Sequence, residues 1–144
     1  MHQKQILRIL DANLNRSREG LRVCEEVMRF TLADTSATRE LKKTRHAISR
    51  SIGRFPVSLE GLVQCRDTGS DVGKKANRLE SKRPDGRALF IANIERAKES
   101  LRVLEETSKL LNPKLGILYK KIRFRVYAIE KTAMPKLETL RYRR

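Results

Sequence analysis

The chain contains no tryptophan, and its three tyrosines and four phenylalanines make up only 5% of the residues. Leucine, isoleucine and valine must therefore carry the core, which suits packed helices better than a β-sandwich, whose strands favour aromatic and β-branched side chains. Two cysteines, Cys24 and Cys65, are too few for a disulfide framework, and their spacing matches no zinc site. Cys24 falls on an apolar helix face, where a thiol acts as a small hydrophobe. Neither His2 nor His46 has a serine, cysteine or acidic constellation around it, so no nucleophile and no histidine metal site is assigned. No window approaches the roughly 18 apolar residues of a membrane span. The start, MHQKQILRIL, lacks the long apolar region of a signal peptide. These absences predict a soluble cytoplasmic protein with no membrane partner.

Positive charge is abundant. Thirty-three basic against seventeen acidic residues give +16 over 144 residues. Such a balance predicts anionic partners: nucleic acid, phosphorylated metabolites or membrane headgroups. At this length a single domain with its own core is expected.

The sequence is organised around a stretch that occurs twice. ANLNRSREGLRVCEEVMRF from Ala12 and ANIERAKESLRVLEETSKL from Ala92 are identical at nine of nineteen positions, at an offset of eighty. An internal duplication follows. In the first copy, one apolar row reads Leu10, Leu14, Ser17, Leu21, Cys24, Met28. The adjacent row reads Ile6, Ile9, Asn13, Arg16, Gly20, Val23, Val27, Phe30. Together they predict a helix over about 3–32 with a broad buried face. The second copy predicts another over about 86–111, with Asp85 as its N-cap. Asp34-Thr35-Ser36 stops the first helix and starts a second, which Gly53 and Pro56 end. Asn112-Pro113 opens a last helix, and Pro135 kinks or ends it. LKKTRHAI at Leu41 resembles YKKIRFRV at Tyr119, so the second helices correspond as well. Residues 57–64 are compatible with a short helix. The expected fold is all-α and four-helix-bundle-like: two tandem hairpins with pseudo-two-fold symmetry. A single domain spans 1–144, with repeat one at about 3–55, a long glycine-rich loop at about 65–86 and repeat two at about 86–134.

The sharpest chemical signals interrupt the apolar rows. Asn13 and Arg16, and their copies Asn93 and Arg96, lie three residues apart on one helix face. A buried guanidinium requires a partner. One reading pairs Arg16 with Glu19 and Arg96 with Glu99; the other has these groups line a ligand cavity, where an arginine fork suits phosphate. Glu25-Glu26 and Glu105-Glu106 lie at or beyond the edge of the buried face, as solvated i,i+4 partners or as carboxylates for Mg²⁺ or a substrate amine. Arg45 and Arg123 sit on or beside apolar stripes and either complete a phosphate pocket or snorkel to solvent. The loop RDTGSDVG, from Arg66 to Gly73, offers an arginine, glycines that let backbone approach phosphate, and two aspartates of the kind Mg²⁺ takes as ligands. Gly69 to Lys75 is one residue short of a phosphate-binding P-loop, has no Ser or Thr after the lysine and follows no strand, so it is not one.

ILDANLNRSREGLRVCEEVMRF, RDTGSDVG and IANIERAKESLRVLEE, followed by KKIRFRVYAIEK, resemble a helical domain of bacterial thiamine biosynthesis. That domain occurs alone and, in many bacteria including cyanobacteria, fused ahead of thiamine-phosphate synthase. The resemblance spans about residues 6–131. It implies a monofunctional hydroxymethylpyrimidine phosphate kinase, using ATP to make the pyrimidine diphosphate that the synthase consumes; the chain ends at Arg144, so the synthase barrel is not expected here. The motif residues fall on Asn13, Arg16, Glu19, Gly20 and Arg22; on Arg66, Asp67, Thr68, Asp71 and Gly73; and on Asn93, Arg96, Glu99, Leu101 and Arg102.

Such a reaction needs little general-base help, since the second pKa of a phosphate acceptor is about 6. It needs positive charge to bring two anions together. On this basis Arg16, Arg96 and Arg66 are the expected catalytic residues, with Arg45 and Arg123 in support, and Asp67 and Asp71 hold Mg²⁺. Asn13, Glu19, Asn93, Glu99, Thr68 and Gly73 contact substrate, the amides reading the aminopyrimidine ring. The expected cavity lies between the two copies near the pseudo-two-fold axis, with the loop as its lid. The rivals are a basic nucleic-acid-binding protein and a non-catalytic partner of a separate synthase. Basic residues spread over every helix without interleaved aromatics argue against the first. Monomer and homodimer both remain open at this stage.

Overall fold

A computed structural model describes residues 1–75 and 82–141. Within them the chain is helical: α1 (Gln3–Phe30), α2 (Thr35–Ser51), α3 (Leu59–Gln64), α4 (Gly86–Ser108) and α5 (Pro113–Ala133). Short 3₁₀ segments follow α2 (Ile52–Arg54) and α5 (Met134–Leu140). No helix among the described residues is long and apolar enough to cross a membrane.

The helix boundaries follow local chemistry. Asp34 accepts the Ala37 amide, Asp85 the Ala88 amide and Asn112 the Lys114 amide, each cap satisfying an orphan N–H of the first turn. Proline at the first turn of α5 loses nothing there, because its missing N–H is one of those orphans. α1 and α4 end two or three residues earlier than the periodicity implies. α1 gives way to Ala33, which adopts φ 48°, a left-handed conformation usually left to glycine, and reverses the chain into α2. The short helix in 57–64 is present as α3. The tail KLETLRYRR from Lys136, whose sequence is compatible with a further helix, is a 3₁₀ segment through Leu140; its residues 142–144 and loop residues 76–81 lie outside the described residues.

The two duplicated helices, α1 and α4, form the most extensive contact in the molecule; α2 packs on α1, α5 on α4, and α2 on α5. This is the bundle of two hairpins. Their shared core joins Leu10, Leu14, Leu21 and Met28 of α1 to Phe90, Ile94, Leu101 and Leu104 of α4, with Leu41, Ile48, Tyr119, Ile122 and Val126 from the outer helices. α1 and α4 approach closely at Gly20, where a Cβ would stand 2.7 Å from the Asn93 carbonyl oxygen. Any side chain there would push the helices apart.

The first apolar row is buried throughout, but the second is not. Ile9, Val23, Leu89 and Asn93 are half-buried; Arg16, Phe30, Arg96, Val103 and Leu110 are exposed. This row flanks an open seam along the α1–α4 pair rather than a second buried stripe. Among the described residues, the two hairpins cover the first row and leave the second covered only in part.

Candidate functional site

The seam opens into a cavity of about 970 Å³ at the N-terminal half of α1. One wall is α1, through Arg8, Asp11, Ala12, Asn13, Asn15 and Arg16. The other is the loop after α3, through Arg66, Asp67, Thr68, Ser70, Asp71 and Val72. Val103 of α4 reaches the same space. The expected partnership of Asn13 and Arg16 with the RDTGSDVG loop is therefore present, for the first copy.

An ion pair holds the loop against the helix. Arg66 donates from Nε to Asp11 Oδ2 at 2.6 Å and from Nη2 to Asp11 Oδ1 at 2.8 Å. Asp11 is 5% exposed, so this forked pair is shielded on the helix side. The hydrogen bonds that Arg66 donates to Asp11 hold its guanidinium above its usual pKa, against the opposing effect of desolvation. Arg66, expected as a free phosphate ligand, is thus engaged in positioning the loop.

The loop shapes itself through its own aspartates. Asp67 Oδ1 accepts the Ser70 amide at 3.1 Å, and its other oxygen accepts the Ser70 hydroxyl. These two bonds, with the positive charge of Arg8 nearby, hold the Asp67 carboxyl below its ordinary range. Asp71 Oδ1 accepts the Gly73 amide at 2.8 Å, and Lys74 Nζ donates to the Gly69 carbonyl at 2.8 Å. Among the described residues, no three histidine, cysteine, aspartate or glutamate side chains cluster to hold a metal without a ligand's help.

Asn13, 4% exposed, donates from Nδ2 to the Ile9 carbonyl at 2.8 Å, and Asn93 makes the same bond to Leu89 at 2.9 Å. In each case the amide donor serves its own helix and the amide oxygen faces away from that bond. Arg16 and Arg96 are exposed and make no ion pair with Glu19 or Glu99. Burial therefore does not force either arginine to find a partner. Arg16 lines the cavity; Arg96, Asn93 and Glu99 do not.

Arg45 and Arg123 also depart from the expected phosphate pocket. Arg45 Nε lies 3.2 Å from Glu25 Oε1, and Arg123 meets Glu105 Oε2 through both Nε and Nη2 at 2.9 Å. Glu25 and Glu105 are 3% and 4% exposed, not at the edge of the buried face. Arg22 and Arg102 flank them from the solvent side, 3.6 and 3.4 Å away. The same cluster thus occurs twice, tying α2 to α1 and α5 to α4. Burial works against the Arg123 charge, but bonds to the Tyr127 hydroxyl and Glu105 outweigh it and raise the pKa. Each cluster borders a smaller hollow of about 470 Å³, one carrying Glu19 and the other Glu99.

Sequence reasoning missed Arg8, Asp11 and Asn15. The repeat itself carried the signal, because the eighty-residue offset places Ala88, Ile91 and Glu95 opposite them. Cys24 is the buried hydrophobe expected: its thiol points to the Phe90 carbonyl at 3.5 Å, and burial pushes its pKa up.

The sequence profile of the ThiD2 family matches residues 8–132, nearly the whole helical fold. The chain belongs to the ThiD2 family. Curated relatives include proteins named thiamine-phosphate synthase. This ThiD2 chain is 47% identical to one from Synechocystis over 126 residues, covering 87% of the chain and 35% of the relative. It is 41% identical to one from Nostoc sp. over 133 residues, 92% of the chain and 36% of the relative. One from Rhodopirellula baltica is 38% identical over 126 residues, with 87% and 33% covered. The chain spans about a third of the length of these relatives, so the ThiD2 fold is one part of each of those longer proteins. No solved structure matches this chain.

Proposed function

We propose that this ThiD2 domain is an ATP-dependent kinase that transfers the γ-phosphate to hydroxymethylpyrimidine phosphate, forming the diphosphate for thiamine biosynthesis. The observation that carries this reading is the 970 Å³ cavity in which Arg16, Asn13 and the 66–73 loop converge. Arg16 has no ion-pair partner among the described residues, so its guanidinium is available to an anion.

In the proposed step an oxygen of the acceptor phosphate forms a bond to the γ-phosphorus as the bond to the bridging β–γ oxygen breaks. ADP departs with that electron pair. The acceptor, largely dianionic near pH 7, needs no strong base. Arg16 steadies charge on the transferring group. The Asn13 amide oxygen accepts a hydrogen bond from the exocyclic amine of the pyrimidine. Arg66, held by Asp11, keeps the loop closed over the reacting groups and limits water.

Mg²⁺ typically takes one or two carboxylates and completes its shell with phosphate oxygens and water, and the two loop aspartates match that donor set. Asp71 would hold it directly and Asp67 through water, because both Asp67 oxygens already accept bonds from Ser70. Bound there, the ion would neutralise phosphate charge.

The names of the relatives favour a second reading, in which the domain is a non-catalytic partner of thiamine-phosphate synthase. A coupled ADP-release assay with the pyrimidine monophosphate, ATP and Mg²⁺ separates the two. The kinase reading expects ADP release that depends on the pyrimidine. No turnover together with tight binding to a synthase supports the partner reading. No turnover with salt-sensitive binding to DNA or RNA points instead to a nucleic-acid role.

A further inference from the structure

The duplication provides an internal control. α1 and α4 descend from one pattern, so positions where they differ show what one copy has gained or lost. Among the differences over the first four turns of α1, three change the chemistry of one face: Arg8 against Ala88, Asp11 against Ile91, and Asn15 against Glu95. All three α1 residues line the cavity. One adds a cation, one anchors the loop through Arg66, and one replaces a carboxylate by a neutral amide. The first and third changes make the repeat-one end of the seam more hospitable to an anion, and the second fixes the loop over it.

Arg8 is the informative member. It is exposed, faces the cavity beside Asp67, and has no ion pair or side-chain hydrogen bond among the described residues. Of the cavity's three arginines, Arg66 is committed to Asp11, which leaves Arg8 and Arg16. They lie eight residues apart on one stripe of α1, about 12 Å along the axis. The residue between them on that stripe is Ala12, small enough to leave the floor open. Two long, uncommitted guanidiniums at either end of a shallow floor match a ligand with more than one phosphate group better than a single phosphate.

We infer that Arg8 and Arg16 form a two-cation clamp for a polyphosphate ligand, and that this clamp belongs to repeat one alone. The inference rests on the kinase reading for its physiological ligand, but the clamp itself is a binding site that exists independently of turnover. Arg8 then contacts phosphate directly, while Asp11 acts through Arg66 by holding the loop that closes the clamp.

Calorimetric titration with inorganic pyrophosphate tests the clamp without requiring catalysis. Arg8→Ala and Arg16→Ala each weaken pyrophosphate binding tenfold or more, and Arg8→Lys recovers part of the loss by keeping the charge without the fork. Arg39→Ala, an equal loss of charge on exposed α2, changes affinity less than twofold. Circular dichroism melts confirm that the exposed-residue variants remain folded. Equal affinities for Arg8→Ala and wild type overturn the clamp, as does an Arg39→Ala loss matching that of Arg8→Ala, since net charge alone then explains binding. Arg8-dependent pyrophosphate binding by a protein that does not turn over the pyrimidine keeps the clamp and removes the kinase reading. Turnover and pyrophosphate affinity that are both unchanged in Arg8→Ala keep the kinase reading and remove the clamp.

Discussion

Repeat one and repeat two share a backbone plan and an ion-pair cluster, yet they have been put to different use. Both fix their outer helix through a buried glutamate, Glu25 or Glu105, that holds an arginine, Arg45 or Arg123. Only repeat one faces the 66–72 wall and carries Arg8, Asp11 and Asn15 beneath it. At the matching positions repeat two carries the uncharged Ala88 and Ile91, and it buries Tyr119 where repeat one has Leu41. The shared glutamate–arginine clusters hold each hairpin together, while around the cavity the shared Asn13 and Arg16 are joined by Arg8, Asp11 and Asn15, which repeat two lacks.

The largest expected effect tests the shared part. Arg123 has a 10% exposed side chain and Arg45 an 18% exposed one, so the Arg123–Glu105 pair is the better shielded from water. Arg123→Ala is expected to destabilise the fold by about 3–5 kcal/mol, the range for breaking a buried pair. Arg45→Ala is expected to cost clearly less in the same urea-unfolding measurement. Equal losses would mean that the two clusters are not graded by burial.

Next comes the divergent part. Arg16→Ala is expected to lower kcat/KM by about 100-fold, in the range found for removing one preorganised donor to transferring charge. Arg96→Ala, at the matching position outside the cavity, is expected to lose less than tenfold. Comparable losses in the two variants would restore a site spanning both copies.

Tyr119 sharpens the contrast through pH. Burial pushes the pKa of its hydroxyl up to about 12, while the hydrogen bond it shares with Ser51 at 2.7 Å works in the opposite direction. Its ordinary value is 10.0. Between these values the unfolded chain loses the proton and the folded chain keeps it, so the native state binds more protons and stability falls as pH rises. The contribution is complete below pH 10 and lost by about pH 12, on the order of 2–3 kcal/mol. Tyr119→Phe should flatten this part of the stability profile relative to wild type; an unchanged slope would assign it to other groups.

The smallest effect lies at the crossing of α1 and α4. Gly20→Ala gains helix propensity but drives a Cβ against the Asn93 carbonyl, for a net loss of about 1–2 kcal/mol. Its counterpart Ser100 already carries a side chain, bonded back to the Arg96 carbonyl at 2.7 Å, so Ser100→Ala should shift the melting temperature less.

The sequence revealed the helices and their pairing because those depend on local rules. Asp34, Asp85 and Asn112 announce their helices as N-caps, and the repeat announces the bundle. It was misleading about Arg16 and Arg96, since periodicity shows which residues share a helix face but not whether another helix covers it. The roles of Arg45 and Arg123 were hidden for a related reason. An arginine in an apolar stripe looks the same in sequence whether it meets a ligand or a glutamate twenty positions away. Asp11 was readable in principle, as the acidic residue opposite Ile91, but only by treating the departures between the copies as evidence alongside the matches.

The tight crossing at Gly20 has a final consequence. Two copies of one hairpin meeting about a two-fold axis are the plan of a symmetric homodimer, written here within a single polypeptide. In a true homodimer every substitution appears on both sides of the axis, so an Arg8 or an Asp11 could not be acquired without its twin. Joining the copies in one chain removes that constraint. One half can remain a structural buttress while the other gains a loop-walled pocket, and the asymmetry on which the proposed chemistry depends becomes open to selection.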